Sequence, residues 1–166
     1  MPGIPGLTVL DCPDYAHNKA NIPLDVTQNR TLGVVQAVLG DLAGEGRGVF
    51  QDRFLHVGGD EVVFGCWEES PTVSAFMRAN GFVNGQQLEN WWEQQLLEHV
   101  ATSIDRRPVV WNEIFENHNK LPDGTVVQCW QNNSLLVDVV AAGTVHTRDA
   151  LFLTAGRLGL LHPPAF

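Results

Sequence analysis

Positive charge is scarce in this chain. Its 166 residues hold ten Lys and Arg against nineteen Asp and Glu, a formal net charge of -9. Basic residues this thinly spread disfavour a phosphate backbone as partner, and with it a nucleic-acid ligand. Charge of either sign is limited, and 44% hydrophobic with 17% charged residues describes a globular chain, not a disordered one. No run reaches the roughly 18 apolar residues needed to cross a bilayer, and the first residues lack the charged and apolar regions of a signal peptide. The three cysteines, Cys12, Cys66 and Cys129, show no CxxC or Cys/His spacing that suggests zinc. One is left over if two pair, and the residues alone leave a disulfide and buried thiols both open. Tyr15 is the only tyrosine. No repeat, charge block or low-complexity linker marks a second domain. The length suits one domain with a real core, yet it is too short for a whole (β/α)8 barrel, which takes about 250 residues.

Residues 1–26, rich in Pro, Asn and Asp, read as an extended loop. A helix follows, capped by Thr27 or Asn29, with Leu32, Val35, Val38, Leu39 and Leu42 on one face until the glycines at 44–48 stop it. Phe54 to Gly58 reads as a buried strand. Ser70-Pro71 opens a short helix whose Val73, Phe76 and Met77 face inward. A longer helix begins near Asn84 or Gly85, with Leu88, Trp91, Trp92, Leu96, Val100 and Ile104 on one stripe and Glu and Gln opposite, so Trp91 and Trp92 read as core. Strands are expected at Pro108–Trp111 and Thr125–Trp130, then a helix from a Ser134 cap to Gly143. Strands separated by helices imply a parallel α/β sheet: part of a (β/α)8 barrel, about three or four parallel strands with flanking helices.

The stretch FLHVGGDEVV, Phe54 to Val63, organises this plan. An apolar strand runs into Gly58 and Gly59, which free the backbone to turn, and then into the carboxylates Asp60 and Glu61. In a β/α barrel that end of a strand is where chemistry is done. An Asp-Glu pair after glycines also makes an ordinary turn and a helix N-terminus. The residues alone leave both readings open, along with a His56/Asp60/Glu61 metal site. His56 reads as a hydrogen-bonded core histidine. Trp111 and Trp130, on the residues alone, read as barrel packing. Glu113 could orient a pocket group.

HVGGDEVVFGCWEESP resembles, nearly residue for residue, the catalytic strand of the β-N-acetylhexosaminidases, the family 20 glycoside hydrolases, whose signature is His-x-Gly-Gly-Asp-Glu followed by a Cys-Trp pair. PVVWNE (Pro108 to Glu113) and TVVQCW (Thr125 to Trp130) follow in that family's order. The GGDE string is shared with diguanylate cyclases, but here it follows a parallel-strand pattern, with no phosphate-binding loop or basic cluster. The resemblance covers about residues 7–143, and the tail 144–166 diverges, so residues 1–166 read as a fragment of one catalytic barrel.

The resemblance implies release of terminal N-acetylhexosamine by a substrate-assisted, retaining mechanism, in which the sugar's own acetamido oxygen attacks the anomeric carbon. Glu61 would be the general acid and then base. Asp60 would orient the acetamido group and balance charge on its nitrogen, while Trp111 and Trp130 would wall the sugar. No metal or cofactor is implied. Cys12 and Cys66 match positions bridged in animal relatives. Asn29 and Asn132 head glycosylation sequons, which with the bridge point to a secreted or lysosomal glycoprotein, possible as a homodimer at full length. A targeting segment is expected upstream. So are an arginine that binds the sugar and a histidine that polarises the acid. A Tyr-Leu-Asp closure is expected near 150–158, where this chain reads ALFLTAGRL. These departures leave open an inactive truncated remnant, acting at most as a sugar-binding or interaction module.

Overall fold

The computed structural model describes residues 5–12, 22–44, 48–130 and 135–141. Three strands form one parallel sheet in chain order: β1 (Phe54–Gly58), β2 (Arg107–Trp111) and β3 (Val126–Gln128). α1 (Asn29–Ala43) precedes the sheet. α2 (Phe64–Glu69), α3 (Pro71–Ala79) and α4 (Gly85–Thr102) link β1 to β2, α5 (Asn112–Glu116) links β2 to β3, and α6 (Leu135–Ala141) follows. Parallel neighbours need such crossovers, and the result is successive β/α units of a partial barrel.

β1, the short helix α3 and the long helix α4 lie where the periodicity puts them. Ser70 caps α3 by accepting from the Val73 amide at 3.1 Å, with Pro71 in the first turn. Asn84 caps α4 through Gln87 N at 3.0 Å. Helices α2 and α5 were not anticipated. At six and five residues they are too short to show a period. β3 is shorter than expected, and the residues expected at its two ends bond elsewhere: Thr125 turns back onto the Pro122 carbonyl, and the Trp130 amide donates to Asn112 Oδ1. Neither Thr27 nor Asn29 caps α1. Its N-cap is Gln28, without a side-chain bond, while Thr27 donates its amide and hydroxyl to Asp25. Within α1, Leu32, Val35 and Leu39 pack on the core, but Val38 is exposed. Ser134, Gly143, Asn132, Tyr15 and the tail 144–166 lie outside the described residues.

α4 corrects the expected pattern most. Trp92 is buried and Trp91 packs against Phe76 and Phe82, as its stripe predicts. Glu89 and Glu93, assigned to the solvent side, are buried at 1% and 6% exposure. The helix touches β2 on one side and α1 and α2 on the other, so its covered arc is wider than one apolar stripe. Asn117 and Asn119 donate to Glu89 Oε2 at 3.0 and 2.7 Å, while Glu89 Oε1 and Glu93 Oε2 have no partner among the described residues. Burial raises the pKa of Glu89, and burial together with the charge of Glu89 pushes Glu93 up to about 8.

Three apolar clusters meet at Val57, which packs against each of them. The segment before α1 is fastened to this core twice. Cys12 and Cys66 are bridged, with Cα atoms 5.1 Å apart at a sequence separation of 54. Closing so long a loop stabilises the fold by about 4 kcal/mol in the chain-entropy picture. Beside the bridge, Asp11 accepts from the Ser70 and Thr72 hydroxyls, and the Ser70 bond holds its carboxyl below the usual range. Cys129 is a free, buried thiol.

Gly59 has φ +98°, and a Cβ there would sit 2.4 Å from Ile114 Cγ1 on α5. Gly59→Ala should therefore destabilise the chain by roughly 2 to 4 kcal/mol, combining left-handed strain with overpacking; urea unfolding measures it, and a loss below about 0.5 kcal/mol would contradict this packing.

Glu93 yields a pH prediction. Its folded pKa, about 8, lies above the ordinary 4.5, so the native chain keeps a proton that the unfolded chain releases. Stability should fall as pH rises from about 4.5 to about 8 and then level off, at up to about 1.4 kcal/mol per pH unit from this residue. In Glu93→Gln that decline should flatten, and parallel wild-type and variant curves between pH 5 and 9 would refute it.

Candidate active site

β1 carries its last residues to the rim of the sheet through an irregularity. Its register with β2 shifts between His56 and Gly58, as a bulge does where a strand re-aims its side chains. Gly58 and Gly59 follow at φ +86° and +98°, and Glu61 at φ +50°. The first two are free for glycine. A glutamate there is strained, a condition that clusters at functional sites. Asp60 and Glu61 are thus displayed on a tight turn, both exposed.

On the helix side, that turn closes over a cavity of about 390 Å³. Asp60 and Glu61 line its rim, and the buried Glu89 and Glu93 line it from α4. Trp67 contributes another wall, fixed by donation from its Nε1 to the Leu24 carbonyl at 2.9 Å.

Trp111 and His56 occupy the opposite face of the sheet. Pro108 and Val110 of β2 are buried toward the helices, so Trp111 points the other way with Val109. There it meets His56, ring centroids 4.6 Å apart. The His56 ring is hydrogen-bonded to the Gln128 side chain, and its Nδ1 accepts from the Gly58 amide at 3.0 Å. It is exposed, which corrects its reading as a core histidine. Partial burial holds it below the usual imidazole pKa, against the opposing pull of Gln128 and Asp60. The imidazole is therefore biased toward its neutral form, with Nδ1 as acceptor.

Trp130 lies two residues beyond β3. Its amide donates to Asn112 Oδ1 at 3.2 Å, and its indole Nε1 donates to the two Glu113 oxygens at 2.9 and 3.0 Å. Asn112 is wholly buried and donates in turn to Glu116. The free Cys129 thiol is pushed up, first by burial and then by Glu116 and Glu113. Among the described residues, no group of three His, Cys, Asp or Glu is placed to hold a metal ion, His56/Asp60/Glu61 included.

The structure therefore gathers His56, Trp111 and Gln128 on one face, with the Asp60–Glu61 turn at the strand end above them. Gln128 and Asn112 were missed because an amide in a strand and one after a strand carry no motif by themselves. The only hint of Glu89 and Glu93 was that their i, i+4 spacing follows Leu88 and Trp92 round the helix.

The catalytic-domain model of glycosyl hydrolase family 20 matches residues 8–157. β-Hexosaminidase subunit alpha of Mus musculus is 35% identical over 131 residues, covering 78% of this chain and 24% of its own length. β-Hexosaminidase subunit beta of Homo sapiens is 39% identical over 107 residues, covering 64% and 19%. This chain thus spans about a quarter or less of these relatives. Among solved structures, an exo-β-N-acetylglucosaminidase from Vibrio harveyi superposes with a TM-score of 0.64 at 20% identity, over 74% of this chain and 18% of that one. A β-N-acetylhexosaminidase from Bacteroides fragilis gives 0.62 at 19%, over 75% and 25%. At these identities the structural likeness establishes the fold.

Proposed function

The chain belongs to glycosyl hydrolase family 20, and on that premise we propose that it carries the acid–base centre of an enzyme releasing terminal non-reducing N-acetylhexosamine, GlcNAc or GalNAc, from glycoconjugates or chitooligosaccharides. The observation that carries this reading is the Asp60–Glu61 pair on a left-handed turn at the carboxyl end of a parallel strand. Cleaving a glycoside requires a proton on the leaving oxygen and stabilisation of a cationic anomeric carbon. Adjacent carboxylates cannot flank the bond from opposite sides, so the two divide the work. Glu61 protonates the leaving oxygen and later deprotonates water. Asp60 aligns the substrate's acetamido group, whose oxygen attacks the anomeric carbon, and balances the charge that grows on its nitrogen. Trp111 and Trp130 supply apolar ring surface against the sugar.

The surroundings support this division. His56 lies close enough to Asp60 for their charges to interact, and its hydrogen bonds to Gly58 and Gln128 brace the end of the strand below the turn. The Cys12–Cys66 bridge suits an oxidising compartment, secreted or lysosomal, and Asn29 is exposed, as a glycosylated asparagine must be. No described helix is long and apolar enough to cross a membrane. The partners proposed are a glycan and, for a longer protein, a second copy in a homodimer.

A second reading draws on the sheet. Among the described residues β1 and β3 each keep one edge without a strand neighbour, which a closed barrel would not leave. Residues 1–166 then form part of one catalytic barrel, and by itself the chain is an inactive remnant with at most weak affinity for sugars.

Assays on aryl N-acetylhexosaminides separate the readings. In an active domain, Glu61→Gln should cost roughly 10² to 10⁴-fold on poor leaving groups and much less on activated ones, while Asp60→Asn should cost all substrates alike. Equal losses for Glu61→Gln on good and poor leaving groups would count against its role. The purified 166-residue chain should show little or no activity. A rate comparable with an intact family member would sink the remnant reading.

A further inference from the structure

Trp130 stands beyond the last ladder residue of β3, so the sheet does not set the plane of its ring. The short helix α5 does. Its first residue, Asn112, is wholly buried and takes the Trp130 amide; its second, Glu113, takes the indole N–H with both carboxylate oxygens. An indole has one polar atom, a donor, and here it meets an acceptor that is a carboxylate, the stronger kind. With backbone and ring edge both fastened, little rotation about the side-chain bonds remains. The fastening residue also follows Trp111 by two positions. One short backbone segment thus carries the first tryptophan and the clamp for the second, which ties the placement of the two rings together.

We propose that Glu113 is a positioning residue: it touches no sugar but fixes the Trp130 ring as a wall of the N-acetylhexosamine pocket. This rests on the sugar-wall reading of Trp130 given above. The anchoring follows from the geometry, and its consequence is that the neutral, shape-matching Gln can replace Glu113 while Ala cannot, because Gln keeps one acceptor oxygen.

The test uses the full chain labelled with ¹⁵N, the Trp130 indole signal being assigned by its loss in Trp130→Phe. Glu113→Ala should speed hydrogen exchange at that N–H by about tenfold or more and weaken N-acetylglucosamine binding about tenfold, a loss typical of one hydrogen bond to a charged group. Glu113→Gln should restore most of both. In the Trp130→Phe background, which has no N–H to hold, Glu113→Ala should weaken the sugar no further. Melting temperatures of all variants identify any that misfold, and the Gln variant then carries the comparison. Unchanged exchange and unchanged affinity in Glu113→Ala would overturn the proposal, as would an equal loss in the Trp130→Phe background. A wild-type chain that does not bind N-acetylglucosamine would overturn the sugar-wall reading itself, and exchange alone would then decide whether Glu113 holds the ring.

Discussion

The contact between Gly59 and Ile114 is the constraint on which the rest of the arrangement depends. Parallel pairing brings β1 and β2 side by side, and each strand must then leave the sheet at the same end within a few residues. β1 leaves through two glycines and β2 through α5, and the two exits press together where no side chain can fit between them. Every feature of the rim follows. Asp60 and Glu61 are turned outward because the glycines have used up the turn, and α5 is seated where its first residues reach Trp130. Val57, just before the turn, joins the three apolar clusters, so any shift of the rim has to disturb the whole core.

Much of this was legible in the sequence, for reasons that differ from residue to residue. β1 could be read because an apolar run ending in paired glycines has few alternatives, and α3 and α4 because Ser70-Pro71 and Asn84 are strong caps. Asp60 and Glu61 stood out through their place after that strand, and the Cys12–Cys66 pairing through family resemblance alone. α2 and α5 were illegible because a single turn has no period. The partner of Trp130 was illegible because Glu113 and the indole are joined across a sheet neighbour and not along the chain. The burial of Glu89 and Glu93 was hidden by the general rule that puts glutamate outside. That rule fails where a helix is covered from two sides.

These two glutamates also set apart the two sides of the sheet. One face offers the Trp111 ring and a histidine whose pKa burial lowers, with polar groups that find partners across the sheet. The other face backs onto a cavity where two carboxyl oxygens lack partners among the described residues, an arrangement that favours protonated acids. The Asp60–Glu61 turn stands between them. Its surroundings are thus asymmetric in charge as well as shape, although both carboxylates belong to one short stretch of chain.

The spacing of the cysteines gives the disulfide a history as well as a place. Cys12 leaves the ribosome 54 residues before Cys66, and Cys129 follows 63 residues after Cys66, the difference of the two positions. At about 5 to 20 residues per second, each interval lasts several seconds. When Cys66 emerges, β1 has just been made and, within residues 1–66, Cys12 is the one other thiol, while Cys129 does not yet exist. Oxidation on a timescale of seconds therefore meets Cys12 before Cys129 can compete. By the time Cys129 appears it enters a strand end that buries it. Sequence order thus shields the Cys12–Cys66 pairing from Cys129.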